Sequence, residues 1–403
     1  MVERSGVDIV MLALARWDGL YSSTAFSLAK QLSLTNRVFY LDNPFTYKDI
    51  AQGMTTVQIK SRLQPLFTGK KRYRTIEPGN SNLINVVPKA VYPINFLSRG
   101  KVYNYLNKVN DNKVRAAISH ITKDFGTKGF ILVNCFNPFY LHDVDTVGAS
   151  CSVYYSVDNM AESKYINKHG IRLEKKVIQN YDVTLATSRE LYNYAAKIGD
   201  NVHFLPNAVD FDLFQQAFDT RIEKPADIAH IPSSTKIIGY IGHVDHRVDY
   251  DLLEQVAHRH SDKIILLIGP ISSDDFRRRI ASLPNALTIG KKKLEELPAY
   301  LKFIDCCIIP FLRNELTSCI YPLKLNEYLA GGKPVVSTRF SPDVNEFDQV
   351  VGIADDNEHF IDRINEEILF DNNEKQQERV SKAKGNTWSV RVQEFWDVVS
   401  PFL

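Results

Sequence analysis

SCIYPLKLNEYLAGGKPVVST, Ser318 to Thr338, decides how this chain folds. Leu323, Leu325, Tyr328 and Leu329 are apolar, Lys324, Asn326 and Glu327 are polar, and the amphipathic pattern stops at Gly331-Gly332. A Lys-Pro step and the apolar pair Val335-Val336 follow, so the stretch reads as a helix, a glycine stop and a strand. The start of such a helix presents unbonded N–H groups and the positive end of a dipole, where a phosphate binds. Lys324 and Glu327 fall one turn apart on one face. One cation and one carboxylate so placed suit a diphosphate and a ribose; a plain surface Lys–Glu pair is the alternative that the rest of the chain must decide against.

Upstream, KIIGYIGHVDHRVDYDLLEQVA from Lys236 reads as a strand, a glycine-containing loop with His243, His246 and Arg247, and a helix. KIILLIGP is a strand ended by Gly269-Pro270, NALTIG is another, and LEELPAYLKFIDCCIIPF is a helix feeding a strand at Cys306–Pro310. After the strand Val335–Ser337 the chain reads as helical, with Trp388 and Trp396 on the last helix. Residues 221–234, with Pro225, Pro232, Ser233 and Ser234, have linker composition.

The first half repeats the alternation. Apolar runs at Ile9–Leu14, Val38–Leu41, Phe130–Val133 and Val153–Ser156 end in turn-forming or polar residues, with helical patterns between most of them. That is an α/β pattern with a parallel sheet, whose functional loops gather at the carboxyl ends of the strands. The first loop, ARWDGLYSS, carries Asp18 beside Gly19 and opens a helix near Ser22 or Ser23. FILVN leads into Cys135, Phe136, Asn137 and Pro138, and VYYSVDN places Asp158 and Asn159 past another strand. Asp158 reads as a general base or as a helix N-cap, and Asp18 as a base or as a turn-forming Asp-Gly. Val183–Ala186 is a strand, Ser188 an N-cap with Glu190 in the first turn, and the next strand runs into Phe204-Leu205-Pro206-Asn207.

At 403 residues the chain suits two domains of about 200 residues each. Hydrophobic residues at 44% and charged residues at 24% are ordinary for a globular protein, and a net charge of +2 excludes a polyanion binder by composition alone. Five cysteines, an odd number with no C-x-x-C pair and no histidine at metal-ligand spacing, argue against a disulfide framework and a metal site. Three lie in apolar runs, as reduced thiols in a cytoplasm do. Glu3 and Asp8 stand where an export signal carries basic residues, so the N-terminus reads as a first core strand. No run approaches the roughly 20 apolar residues of a membrane span, which leaves peripheral contact. Lys60, Arg62, Lys70, Lys71, Arg72, Arg74, Lys89, Arg99 and Lys101 face a single acid, Glu77, with Phe67, Tyr73, Tyr92 and Phe96 interleaved. This segment reads either as a solvated irregular insertion or as a surface for anionic lipid headgroups. Nucleic acid is not expected, because no recognition module accompanies the charge.

Together, ATSRELYNYAA with LPNAVDFDLF, IGYIGHVDHRVDYDLL and YPLKLNEYLAGGKPVVST resemble the nucleotide-sugar glycosyltransferases of the GT-B fold, family 4 and the teichuronic acid biosynthesis type in particular. The resemblance covers roughly Tyr154 to Thr338, and the first 150 residues share it mainly through RWDG. It implies two Rossmann-like parallel-sheet domains facing a cleft: residues 1–215 for the acceptor, residues 216–385 for the nucleotide sugar, and a helix at 386–403 crossing back to the first domain. It implies that Glu327 binds the donor ribose, that Lys324 meets the diphosphate, and that N–H groups around Ile320 and Tyr321 cap the phosphates, with Ser318 and Cys319 also among the donor-binding residues. Gly242 lets the backbone approach the donor. His243 and Val248 stand where relatives often carry Arg and Lys, and Arg247 is the nearest substitute. The Glu-x7-Glu pattern of the family places its first glutamate at 319, where this chain has Cys319, so retention of configuration is not implied.

The expected reaction moves a sugar from a UDP- or GDP-sugar to a hydroxyl of a cell-surface polysaccharide, lipid-linked glycan or other glycoside, without a metal, since no Asp-x-Asp sits where one is expected. If configuration inverts, Asp18 or Asp158 takes the acceptor proton. A nucleotide-sugar 2-epimerase, which needs no acceptor, and a catalytically silent nucleotide- or glycan-binding homologue are the alternatives.

Overall fold

A computed structural model describes residues 5–19, 23–142, 147–161 and 164–403; Glu3 and Ser22, used above in reading the first strand and helix, lie outside them. The chain divides into two units, Met1–Pro206 with Arg391–Leu403, and Asn207–Val390. Runs rich in Ile, Val, Leu, Tyr and Phe form the strands of both, as residues that pack well on a pleated, buried surface do.

Unit 1 is an eight-stranded sheet built from β1 (Asp8–Ala13), β2 (Arg37–Leu41), β3 (Tyr73–Glu77), β4 (Asn80–Val86), β5 (Ile131–Cys135), β6 (Cys151–Ser156), β7 (Val183–Ala186) and β8 (Val202–Phe204). Their order is β3-β4-β2-β1-β5-β6-β7-β8, parallel throughout except for the antiparallel β3–β4 pair. Val10, Leu12, Phe39, Leu132 and Tyr154 form one core with Ile118 and Ile121 of the Lys101–Phe125 helix and Val177 of the Lys164–Asn180 helix. Unit 2 is a six-stranded parallel sheet of β9 (Ile237–Ile241), β10 (Ile264–Ile268), β11 (Ala286–Thr288), β12 (Cys306–Ile309), β13 (Val335–Thr338) and β14 (Gly352–Ala354), in the order β11-β10-β9-β12-β13-β14. In each sheet the strand order reverses beside the first strand, at β1/β5 and at β9/β12. Loops part there and leave a crevice at the carboxyl ends, the usual ligand position in doubly wound sheets.

Two expectations need correction. The basic segment is not irregular: it holds the helices Val57–Lys60 and Leu63–Thr68 and the β3–β4 hairpin, over a satellite core of Phe45, Ile50, Ile59, Leu66, Val87 and Ala90. Nor is the chain purely helical after β13, because β14 closes that sheet. Among the described residues no helix is long and apolar enough to cross a membrane. All five cysteines are unbridged, four of them in strands and buried and Cys319 half-exposed.

Arg62 is not a surface charge either. Its side chain is 0% exposed and binds Asp42, also 0% exposed, through Nε at 2.9 Å and Asp18 through Nη1 at 2.7 Å. Removing one partner of a buried pair strands the other charge. Arg62→Met is therefore expected to cost about 3–5 kcal/mol in urea denaturation, and the added substitution Asp42→Leu to return much of it.

Candidate functional site

The helix of the opening stretch spans Leu323–Ala330 and ends in a full Schellman turn: Lys333 N–H bonds Tyr328 O at 3.0 Å and Gly332 N–H bonds Leu329 O at 2.9 Å. Gly332 sits at φ +70°, the left-handed conformation that glycine adopts without a Cβ penalty. Tyr328 then fixes the helix to the unit 2 switch point. Its hydroxyl accepts the Ile241 N–H at 2.8 Å and donates to Ile241 O at 3.2 Å. One turn earlier, Lys324 is thereby carried to the residue that follows β9.

That residue is Gly242, at φ +152°. A Cβ there would collide with Lys324 Cε, and would lie 3.0 Å from Lys324 Nζ and 3.2 Å from the Tyr240 hydroxyl. Lys324 Nζ stands 5.8 Å from the centre of the Tyr240 ring and 5.5 Å from that of Phe311, the latter in the loop after β12. The ammonium is half-buried and has neither a hydrogen bond nor an ion pair within 4 Å to any described residue. Burial, seconded by the Arg247 guanidinium, lowers its pKa against the opposing pull of Glu327 and Asp245. The Glu327 carboxylate, half-buried on the same face, likewise accepts no hydrogen bond from a described residue, and burial pushes it up to about 7 although Lys324 opposes this. Two opposite charges, half-buried and without hydrogen-bond partners among the described residues, form a site prepared for a ligand that carries both acceptors and donors.

The loop after β9 is laced to its neighbours. Val244 N–H bonds Pro270 O at 2.9 Å, Asp249 N–H bonds Pro310 O at 2.8 Å, and Leu312 N–H bonds Arg247 O at 2.8 Å. Arg247 is gripped by Asp245, Nε to Oδ1 at 2.9 Å and Nη2 to Oδ2 at 2.6 Å, and its guanidinium lies 5.9 Å from the Phe311 ring. Burial alone would raise the Asp245 pKa, but its bonds to Arg247 bring it below the ordinary value. His243 Nε2 shares a 2.7 Å hydrogen bond with Ser272 Oγ. Asp245, which orients Arg247, was not singled out in the sequence; its place two residues before an arginine, in a strand-end loop, was the available signal.

The helix start differs from expectation. Ser318 ends a separate turn, Glu315–Ser318, capped by Asn314, and Cys319 is its C-cap with Sγ 3.5 Å from Glu315 O. The Ile320 N–H is spent on Thr317 O at 3.0 Å, and the Tyr321 hydroxyl accepts from Asn326 Nδ2 at 3.2 Å. The helix begins only at Leu323, with Pro322 as an N-cap that offers no side-chain acceptor. Among the described residues the Lys324 N–H finds no acceptor, so the open donor lies nearer Lys324 than Ile320.

In unit 1, Asp18 follows β1 with one oxygen held by Arg62, while its main-chain carbonyl accepts from Gln58 Nε2 at 2.8 Å. Asp158 follows β6 and accepts the Asn159 N–H at 2.8 Å; the residues just before Lys164, where the next helix is first described, lie outside the described set. Only β5 separates β1 from β6, so the loops that carry Asp18 and Asp158 both leave the carboxyl ends of the sheet. The buried acid here is Asp42, one residue past β2, with its pKa raised by burial against the effect of Arg62.

Residues 235–368 match the family described as glycosyl transferases group 1. TuaH of Bacillus subtilis (strain 168), a protein named for teichuronic acid biosynthesis glycosyl transfer, is 27% identical over 211 residues, 49% of this chain and 51% of that one. The chain thus spans about half the length of this curated relative. Two solved structures share the fold: an Escherichia coli protein described as trehalose-6-phosphate with bound UDP-2-fluoro glucose (TM-score 0.67, 10% identity, 98% of each chain), and Anabaena Alr3699/HepE with UDP and glucose (TM-score 0.61, 11% identity, 98% of this chain and 99% of that one). The loop after β9, the helix bearing Lys324 and Glu327, and β10 to β14 all lie inside the segment that matches glycosyl transferases group 1, and the chain shares the GT-B fold of the two solved structures.

Proposed function

We propose that the chain transfers a sugar from a UDP- or GDP-sugar to a hydroxyl of a growing cell-surface polysaccharide, lipid-linked glycan or other glycoside. The observation that carries this reading is the half-buried Lys324–Glu327 face, its ammonium and carboxylate without hydrogen bonds to any described residue and the Lys324 stem pressed against Gly242, in the segment that matches glycosyl transferases group 1. The relative TuaH is named for polysaccharide synthesis, and the two structural neighbours hold UDP with a sugar.

In this reading the acceptor oxygen attacks the anomeric carbon as the bond to the nucleotide diphosphate breaks. Negative charge grows on the departing phosphate, and Lys324, the Lys324 N–H and Arg247 meet it without a metal. Glu327 accepts hydrogen bonds from the ribose hydroxyls. Under inversion, Asp18 or Asp158 takes the acceptor proton. Cys319 leaves the contact to the transferred sugar to other residues. We also place the work at the cytoplasmic face of a membrane: Phe67, Tyr92 and Phe96 are exposed at 54%, 43% and 71% among exposed Lys60, Lys70, Lys71, Lys89, Arg99 and Lys101, the pairing of apolar side chains and cations that suits anionic lipid.

Three outcomes test these proposals. In titrations of the full chain, Lys324→Ala is expected to weaken UDP or GDP binding by about ten- to a hundred-fold, as loss of a charged hydrogen bond does. A wild type that binds neither nucleotide, or that releases epimerised sugar without an acceptor, would reject the transferase. For Glu327 the folded state holds the proton more tightly than the unfolded chain, so its contribution to stability is full below its ordinary pKa of 4.5 and lost as pH rises to about 7. The wild-type Tm should therefore fall relative to Glu327→Gln across that window; parallel curves would show that the carboxyl is not held in a dry recess. Liposome binding should need anionic lipid and drop with Lys70→Glu/Lys71→Glu, and indifference to both would dismiss the membrane surface.

A further inference from the structure

The loop after β10 lies against the loop after β9, and two glycines make the contact. Gly242 N–H bonds Ile268 O at 2.8 Å, and Gly269, at φ +148°, has no room for a Cβ because Gly242 O occupies that space. Further out, Val244 N–H bonds Pro270 O at 2.9 Å and Ser272 N–H bonds Val244 O at 3.0 Å. Main-chain bonds thus set Ser272 beside His243. The Tyr240 hydroxyl, donating to His243 O at 2.9 Å, holds the histidine main chain as well.

Four side chains then follow in a row. Ser272 Oγ lies 2.7 Å from His243 Nε2, His243 Nδ1 lies 3.5 Å from Asp245 Oδ2, and the same carboxylate grips Arg247. The row opens toward solvent: the Asp245 side chain is 7% exposed and that of His243 33%, while Ser272 is exposed. His243 is also the residue after Gly242, against which the Lys324 stem is pressed. An anion drawn to Lys324 therefore arrives beside His243 and Ser272.

The imidazole decides what Ser272 can offer that anion. Asp245 keeps a hydrogen on Nδ1, because a carboxylate facing one ring nitrogen selects the tautomer. In the neutral ring Nε2 is then an acceptor, and the Ser272 hydroxyl points its hydrogen inward, leaving only lone pairs for an incoming group. In the charged ring Nε2 donates to Ser272 Oγ, and the hydroxyl hydrogen is released to point outward. A phosphate oxygen finds no donor in the first arrangement and one in the second.

We propose that Ser272 is a further phosphate ligand for the nucleotide sugar and that the proton on His243 switches it from acceptor to donor, so the diphosphate is held more tightly as pH falls. The inference rests on the glycosyl-transfer reading and adds to that site a residue from the loop after β10 and a control by pH. The groups that face His243 are Asp245 and Arg247 from its own loop, Ser272 from the loop after β10, Tyr240 from β9 and, across Gly242, Lys324 from its helix. A bound diphosphate brings the negative charge that favours an imidazolium beside it.

The test is calorimetric titration of the full chain with UDP and with GDP between about pH 5.5 and 8, the range in which histidine changes charge. Glu327, with its carboxyl pushed up to about 7, and the nucleotide phosphate also titrate there, so the quantity read is the ratio of dissociation constants, Ser272→Ala to wild type, in which both cancel. That ratio should be about ten near pH 5.5, as for loss of one hydrogen bond to a charged group, and near one at pH 8. Ser272→Thr, which keeps the hydroxyl, should follow the wild type. In a His243→Gln background the ratio should no longer change with pH. Ser272→Gly replaces Ser272→Ala if the latter does not fold by circular dichroism. A ratio of one at every pH would remove Ser272 from the site, and a constant ratio above one would remove the proton switch; either overturns the inference while nucleotide binding itself stands. If neither nucleotide binds the wild type at any pH, the transfer reading falls and this inference with it.

Discussion

The Lys324 stem passes through the space that a side chain at residue 242 would fill. Much of unit 2 follows from that crowding. Residue 242 must be glycine, at a φ other residues rarely adopt. The helix must be held at a fixed height, which the paired hydrogen bonds of Tyr328 with Ile241 accomplish, and its far end must turn sharply enough to start β13, which Gly332 allows. The Tyr240 and Phe311 rings stand beside the half-buried ammonium, so the attraction between it and an incoming phosphate is worth more than it would be in open water. Stability is given up in that arrangement, as is common where groups are held ready for a ligand.

Both units gather uncomfortable charges around the loop that leaves their first strand. In unit 2 these are Lys324 and Glu327, which face each other across one helical turn without a bond. In unit 1 they are Arg62 with its two carboxylates and Arg74 beside them. The difference is instructive. Arg62 is locked and structural, because removing it strands Asp42, whereas Lys324 is loosely held and therefore available. A planar guanidinium with several donors suits the first task and a compact ammonium on a flexible stem the second.

Much of this was legible in the residues. Buried parallel strands are continuous apolar runs, so β1, β2, β5, β6, β9, β10 and β12 announce themselves, and the helix–glycine–strand order of Ser318–Thr338 survives intact. The β3–β4 hairpin does not, because YRTIE and NSNLINV lie at a sheet edge and carry more polar than apolar residues. β14 has only the three residues GIA. At the site, the spacing of Lys324 and Glu327 was enough to pair them. The helix start was read some three residues early, since Pro322 delays it and Thr317 takes up the Ile320 N–H. Arg62 looked like one more surface cation in a basic run, and no linear pattern could show that Asp18 and Asp42, 44 and 20 residues away, close around it.

Four of the five thiols are sealed inside strands, where burial pushes their pKa values up and makes them poor nucleophiles. The fifth, Cys319, is half-exposed four residues before the Lys324 helix begins. The molecule thus carries its own labelling handle. A maleimide dye or a nitroxide added to the unaltered chain attaches at one place, on the turn leading to the helix that bears Lys324 and Glu327, and its brightness or mobility reports what happens at that helix without the introduction or removal of a single cysteine.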